Sequence, residues 1–191
     1  MEELANRLIV IKEKVAALKE RDKKLKLFGA WQHQYTFNAA ATIEQVQAFE
    51  SEHQLTLPED YKAFITQIGN GGAGPYYGLR PLQHYNAHYI HHEVELTTTR
   101  LKDPFPSHYW LSEKETFITK EIVQESARGT ISICEEGDGY NHLIVLSGKE
   151  KGNIWFDGCV SNQGMAPFTT QEKARFSFLD WYESWLEAAN S

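Results

Sequence analysis

Cysteine is scarce in this 191-residue chain, which has only Cys134 and Cys159. Two thiols cannot supply the disulfide framework of a small secreted domain. Both are expected to sit reduced in strands, where a cysteine serves as a small apolar side chain. Long hydrophobic runs are also missing. Residues 8–11 and 143–146 are the longest clear examples, far short of the ~18 residues needed to cross a membrane. The chain opens on Glu2 and Glu3, without the basic segment and apolar stretch of a secretory signal, and a cytosolic protein is expected. Basic charge is in deficit: 19 Lys and Arg stand against 26 Asp and Glu, a net charge of −7. A general nucleic-acid binder needs the opposite balance to neutralise phosphates.

Aromatic residues, by contrast, are plentiful, with 5 Trp, 9 Tyr and 10 Phe. Their large buried areas can support a substantial core and weigh against disorder. The length fits one domain with an appendage, here a helical extension over residues 1–41 before a domain over 42–191. Charge is unevenly divided between them. Residues 1–27 carry eight basic and five acidic groups, a net of +3, leaving residues 28–191 at −10. Leu4, Leu8, Ile11, Val15 and Leu18 recur at helical spacing and predict an amphipathic helix running toward Gly29. Its apolar face is expected to pack on the body or on a second copy, giving a homodimer. Glu13, Glu20 and Asp22 dilute its basic side and weigh against a membrane or nucleic-acid arm.

Thr42-Ile43-Glu44-Gln45 has the pattern of a capping box, with Ile43, Val46 and Phe49 as the buried stripe of the helix that follows and a turn near Gln54. Pro58 suits the first position of another helix, with Glu59 and Asp60 favourably placed at its positive end. Tyr61, Phe64, Ile65 and Ile68 form that helix's apolar face, and Gly69-Asn70-Gly71-Gly72 ends it. Residues 83–129 are of mixed polarity, interrupted by Pro104 and Pro106. Three β-rich runs then follow at residues 130–134, 142–146 and 153–156, separated by short glycine-containing gaps that favour antiparallel pairing. Ser177 precedes a last, aromatic helix containing Phe178, Leu179, Trp181, Tyr182, Trp185 and Leu186. Helices, antiparallel sheet and a final helix together predict an α+β domain.

Several chemical motifs can be weighed on their residues. His84, His88, His91 and His92 form a histidine-rich stretch. On a helix, His84, His88 and His92 would stack as transition-metal ligands, and a metal-dependent enzyme built on them is one alternative reading. The glutamate of a His-Glu-x-x-His motif is absent, however, and no cysteine pattern completes a zinc site. Surface histidines without metal are therefore expected. The glycines at 69–74 follow a helix and lead into Pro75-Tyr76-Tyr77, not into Lys-Ser or Lys-Thr, so they form a turn and not a phosphate loop. No Gly-x-Ser-x-Gly elbow occurs. We expect no catalytic residues, no metal and no cofactor. Glu135, Glu136, Asp138 and Tyr140 share one hairpin, and Trp155 and Asp157 the next. Together they are candidates for an acidic patch with aromatic anchors, which would bind a basic protein partner.

The stretch from residue 43 to 82 resembles the N-terminal signature of the SUKH superfamily. This group includes bacterial immunity proteins and fungal regulators of cell-wall assembly of the Smi/Knr type. The matching features are the acidic-hydrophobic first helix, Leu57-Pro58 opening the second, Asn70-Gly71-Gly72 after it, and Tyr77-Gly78-Leu79 leading into the sheet. The likeness continues through Pro104-Phe105-Pro106, residues 129–133, 143–148 and 152–155, and the helix from Phe178 to Trp185. The extension before Thr42 and the histidine-rich stretch lie outside it. The resemblance implies an α+β fold and a non-enzymatic, cytosolic immunity protein. Such a protein would neutralise a cognate polymorphic or contact-delivered toxin, nucleases being one class. The alternative it implies is a non-catalytic scaffold or regulator of cell-wall assembly. It supplies no catalytic residues, and no direct contact with nucleic acid or membrane is expected.

Overall fold

The structure, a computed structural model, describes residues 2–84, 88–90, 94–96, 100–107 and 118–190. Six α-helices and six strands are found among them, in the order α1 (Glu2–Arg21), α2 (Ala30–His33), α3 (Ile43–His53), α4 (Glu59–Gln67), β1 (His88–Ile90), β2 (Val94–Leu96), α5 (Lys120–Ser126), β3 (Thr130–Gly137), β4 (Tyr140–Val145), β5 (Ile154–Asp157), β6 (Met165–Pro167) and α6 (Phe178–Asn190). Strands β3, β4, β5 and β6 form one antiparallel sheet in sequence order, and β1 and β2 form a separate antiparallel hairpin. The layout is α+β.

Local chemistry accounts for the helix starts. The Thr42 hydroxyl accepts from Gln45 N–H while the Gln45 side chain accepts from Thr42 N–H, a completed capping box. Ser177 opens α6 in the same way, its hydroxyl accepting from Asp180 N–H and the Asp180 carboxylate accepting in return from Ser177 N–H. Pro58 is the residue flanking α4, one position before the first helical residue. Ile43 departs from the predicted stripe. It is 51% exposed, because the first turn of α3 projects past the edge of the core and only Val46 and Phe49 are fully covered.

Helix α1 stops at Arg21, well before Gly29. The carboxylate of Asp22 accepts from the N–H groups of Lys26 and Leu27 and from the Tyr35 hydroxyl, folding the chain back on itself. Leu8, Ile11, Val15 and Leu18 are buried as their spacing predicts, and α1 lies against α6 and α4. Arg7 fastens this contact, with its guanidinium bonded to Asp180 at 2.8 Å and to Glu183 at 2.7 Å. The face that could have joined a second copy is thus covered within the chain.

The sheet is covered on both sides. Ile131, Ile133, Ile144 and Ile154 join the core formed with α1, α4 and α6, whereas Leu143, Val145, Trp155 and Met165 pack with Phe105, Ile118 and Val123. Alternate side chains along each strand point to opposite faces, so two separate apolar clusters follow from one sheet. No described helix is long and apolar enough to cross a membrane.

Candidate protein-interaction surface

Among the described residues, the most exposed aromatic side chains stand together in space. After Asp22 turns the chain, Phe28 precedes Gly29 and Trp31 lies within the one-turn helix α2. They are 64% and 60% exposed. Gly29 has φ +77°, and a Cβ there would lie 2.0 Å from the carbonyl oxygen of Tyr76. Only glycine fits this backbone and this approach. The close contact brings Phe28 to 5.4 Å from Tyr77 and 6.4 Å from Tyr76, and Trp31 to 5.9 Å from Tyr77, measured between ring centres.

The Tyr76–Arg80 segment is in turn laid along the outer edge of β3. Arg80 N–H donates to the Ile133 carbonyl, and Leu79 forms an isolated bridge with Cys134. This register sets the aromatic cluster over the β3–β4 turn. Gly137, with φ +118°, passes directly beneath it. A Cβ on Gly137 would sit 3.3 Å from Tyr77 Cε2 and 3.9 Å from Phe28 Cζ. The residues on either side of Gly137 are Glu136 and Asp138, so carboxylates border the exposed rings.

Within that turn the acidic residues differ. Glu135 is paired with Arg80 at 2.9 Å, and Arg80 also donates to the Ser132 hydroxyl, so this charge is neutralised locally. Glu136 is one-third exposed and lies 3.3 Å from Nε2 of the buried His142. Hydrogen bonding from His142 holds the Glu136 carboxyl below its ordinary range, and Tyr76 bonds to the same carboxylate. Burial raises the Tyr76 phenol first, and the charge of Glu136 raises it further, so it stays a neutral donor. Asp138 is exposed at the tip, in the left-handed region with φ +51°. Tyr140 is part-buried and stacks on Phe156 at 5.7 Å.

Beside the cluster runs a groove of about 330 Å³ between α6 and the Tyr76 segment, lined chiefly by Leu27, Phe28, Tyr76, Phe168, Trp181 and Trp185. The His142 ring lies behind it, stacked on Tyr76 at 5.4 Å and against Trp181 at 5.3 Å and Phe168 at 5.6 Å. Three of the lining rings are therefore fixed by one buried neighbour, and the groove is held open in a set shape.

The structure places Glu135, Glu136, Asp138 and Tyr140 together on the β3–β4 hairpin, but Trp155 and Asp157 do not join them at the surface. Both are about 1–2% exposed. Trp155 packs on Phe105 at 4.7 Å, and Asp157 accepts from Cys159 N–H. The cause is the second apolar layer, which covers the face of β5 that a sheet with one open side would have left to solvent. Phe28, Trp31 and Tyr77 form an outward aromatic cluster that sequence reasoning missed. The Phe-Gly-Ala-Trp run after a polar stretch was the available signal.

The metal reading also changes. His84 ends a short 3₁₀ turn (Leu82–His84) and His88 opens strand β1, so they do not share a helix. The side chains of His84, His88, His91 and His92 lie outside the described residues. Among the described residues no three His, Cys, Asp or Glu side chains are grouped to hold a metal. Burial raises the thiols of Cys134 and Cys159 far above their ordinary range, which keeps them protonated and unreactive.

The chain is similar to the uncharacterized protein YobM of Bacillus subtilis (strain 168), with 33% identity over 116 residues; the match takes in 54% of this chain and 59% of that protein. The chain thus spans less than two-thirds of the curated relative it matches. No solved structure matches. Residues 40–184, which run from just before the capping Thr42 through the sheet to the first half of α6, match the SMI1 / KNR4 family (SUKH-1), and the protein belongs to that family.

Proposed function

We propose that the protein is an immunity protein that binds a cognate protein toxin and neutralises it by covering it, without turning over a substrate. Membership of the SUKH group supports this, because its domains are generally non-catalytic immunity proteins that act through a protein partner. The observation that carries the reading is the outward cluster of Phe28, Trp31 and Tyr77 beside Glu136 and Asp138. Tyr and Trp dominate the energetic centres of protein interfaces, while a folded domain with nothing to bind has little reason to leave two large rings more than half in water. The carboxylates of the hairpin and the −10 charge of residues 28–191 favour a basic partner and speed its approach. Within the hairpin, Asp138 and Glu136 would make the polar contacts, Tyr140 would stand at the margin, and Glu135 would act indirectly by holding Arg80.

Co-expression tests the proposal. The toxic product of the neighbouring gene is produced in a sensitive host with and without this chain. Restored growth and co-purification of the two proteins are the expected results. A toxic product that is neither relieved nor bound contradicts the reading.

A further inference from the structure

The geometry points to a partner of particular chemistry: we infer that the surface takes a protein segment bearing a large apolar or aromatic side chain with a Lys or Arg next to it. This inference rests on the proposed role as a toxin binder and specifies what that toxin would present. Two features lie side by side. The first is the groove of about 330 Å³ between α6 and Tyr76, whose walls are mostly ring and aliphatic carbon. Tyr76, Phe168 and Trp181 are seated on the same buried His142, so the groove exists before anything binds and little ordering cost remains. It suits one large apolar side chain, because a polar group entering it would leave its own hydrogen bonds unmade.

The second feature is charge at the groove's edge. Phe28 both lines the groove and touches the cluster that rests on Gly137. Glu136 and Asp138 flank that glycine, so carboxylates lie within a residue or two of the groove wall. Glu136 is fixed by His142 and Tyr76 through part of its hydrogen-bonding capacity, and a carboxylate has further acceptor sites to offer a cation. Asp138 projects at the turn tip, and Glu135 is already paired with Arg80. An apolar segment flanked by acidic residues would meet this edge with like charge. A segment carrying Lys or Arg beside its apolar residue satisfies both features at once. The exposed faces of Trp31 and Tyr77 can in addition receive the cation over the ring.

An array of blocked synthetic peptides of defined sequence tests this with the full-length chain as the probe. It pairs Phe, Leu, Ser or no anchor residue with neighbouring Lys, Arg, Glu or Ala, and hits are mapped by two-dimensional NMR. Peptides combining Phe or Leu with Lys or Arg should bind at least ten-fold better than their Ser or Glu counterparts, shifting the indole signals of Trp31, Trp181 and Trp185. Trp31→Ala and Phe28→Ser should abolish binding with the melting temperature unchanged. Asp138→Asn, which tolerates the left-handed backbone, should keep the preference for Phe or Leu and weaken that for Lys or Arg. No binding, binding without those preferences, or binding that survives Trp31→Ala and Phe28→Ser overturns the inference. Because the array needs no toxin, its result is independent of the co-expression outcome. Rescue that is unaffected by the same variants would likewise remove this surface while leaving the immunity role in place.

Discussion

Two aromatic groups in this molecule are built from the same residue types and face opposite environments. Behind α6, Phe64, Phe178, Trp181 and Tyr182 are 0–2% exposed, with ring centres 4.9–6.1 Å apart. Near the chain's first turn, Phe28 and Trp31 each contact Tyr77 at similar distances, yet both are mostly in water. The inner set is enclosed except where Trp181 forms part of the groove wall, and even the Tyr182 hydroxyl is satisfied by the Ala73 carbonyl. The outer set is held only from below, by Gly29, Gly137 and the Tyr76–Tyr77 backbone. Ring contacts alone therefore do not distinguish a core from a binding face. What separates them is which side of the rings is already occupied.

Four expected outcomes would break or sharpen this contrast. The largest effect belongs to the inner set: Phe64→Ala should cost about 3–5 kcal/mol of stability, by lost transfer energy and the cavity left behind, read from chemical denaturation. Next, Gly29→Ala should destabilise by roughly 2–4 kcal/mol, since the new Cβ meets the Tyr76 carbonyl and the backbone is left-handed. Its diagnostic is loss of the Phe28–Tyr76 contact from NMR cross-peaks. Should Gly29→Ala fold with those cross-peaks intact, the outer set is not positioned by this turn.

The third outcome concerns pH. Burial pushes the His33 imidazole down to about 4, the nearby Gly74 backbone opposing it only in part, and Nδ1 accepts from Tyr35 N–H. The folded state thus favours neutral His33, while the unfolded chain takes up a proton near 6.5. Stability from this residue is complete above about pH 6.5 and falls as pH drops toward 4, by about 2–3 kcal/mol. Comparing pH-dependent denaturation of the native chain with His33→Gln isolates that contribution, and equal slopes would contradict it. The smallest stability effect belongs to the outer set, where Trp31→Ala should change unfolding free energy by no more than about 0.5 kcal/mol. A loss of several kcal/mol would make Trp31 a core residue in disguise.

The parts of the fold that were legible in sequence are those written in local patterns. Thr42 with Gln45, Pro58 with Glu59 and Asp60, and Ser177 before an aromatic helix mark helix starts because the partners that satisfy them are neighbours in the chain. Strands β3, β4 and β5 were visible as β-rich runs between glycines. Helix α5 is only seven residues long, and β6 is a three-residue strand ending in Pro167, so neither has enough length to show a period. Within the site, the hairpin carboxylates were legible as a group because they are contiguous. Trp155 and Asp157 misled because one strand's alternation does not reveal whether both faces of its sheet are covered. Phe28 and Trp31 were missed for the complementary reason. Their exposure depends on Tyr76 and Gly137, residues far away in the chain, and nothing local separates an outward Trp from an inward one.

The central claim is that the protein works by covering a partner with its outer aromatic face. The most direct measurement is the dissociation constant between the purified chain and its toxin, for the native sequence and for Phe28→Ser/Trp31→Ala. The account predicts a stoichiometric complex for the native chain. For the double variant it predicts binding at least about thirty-fold weaker, equivalent to ~2 kcal/mol, at an unchanged melting temperature. Protection from the toxin with no complex formed, or a complex indifferent to both substitutions, would contradict it.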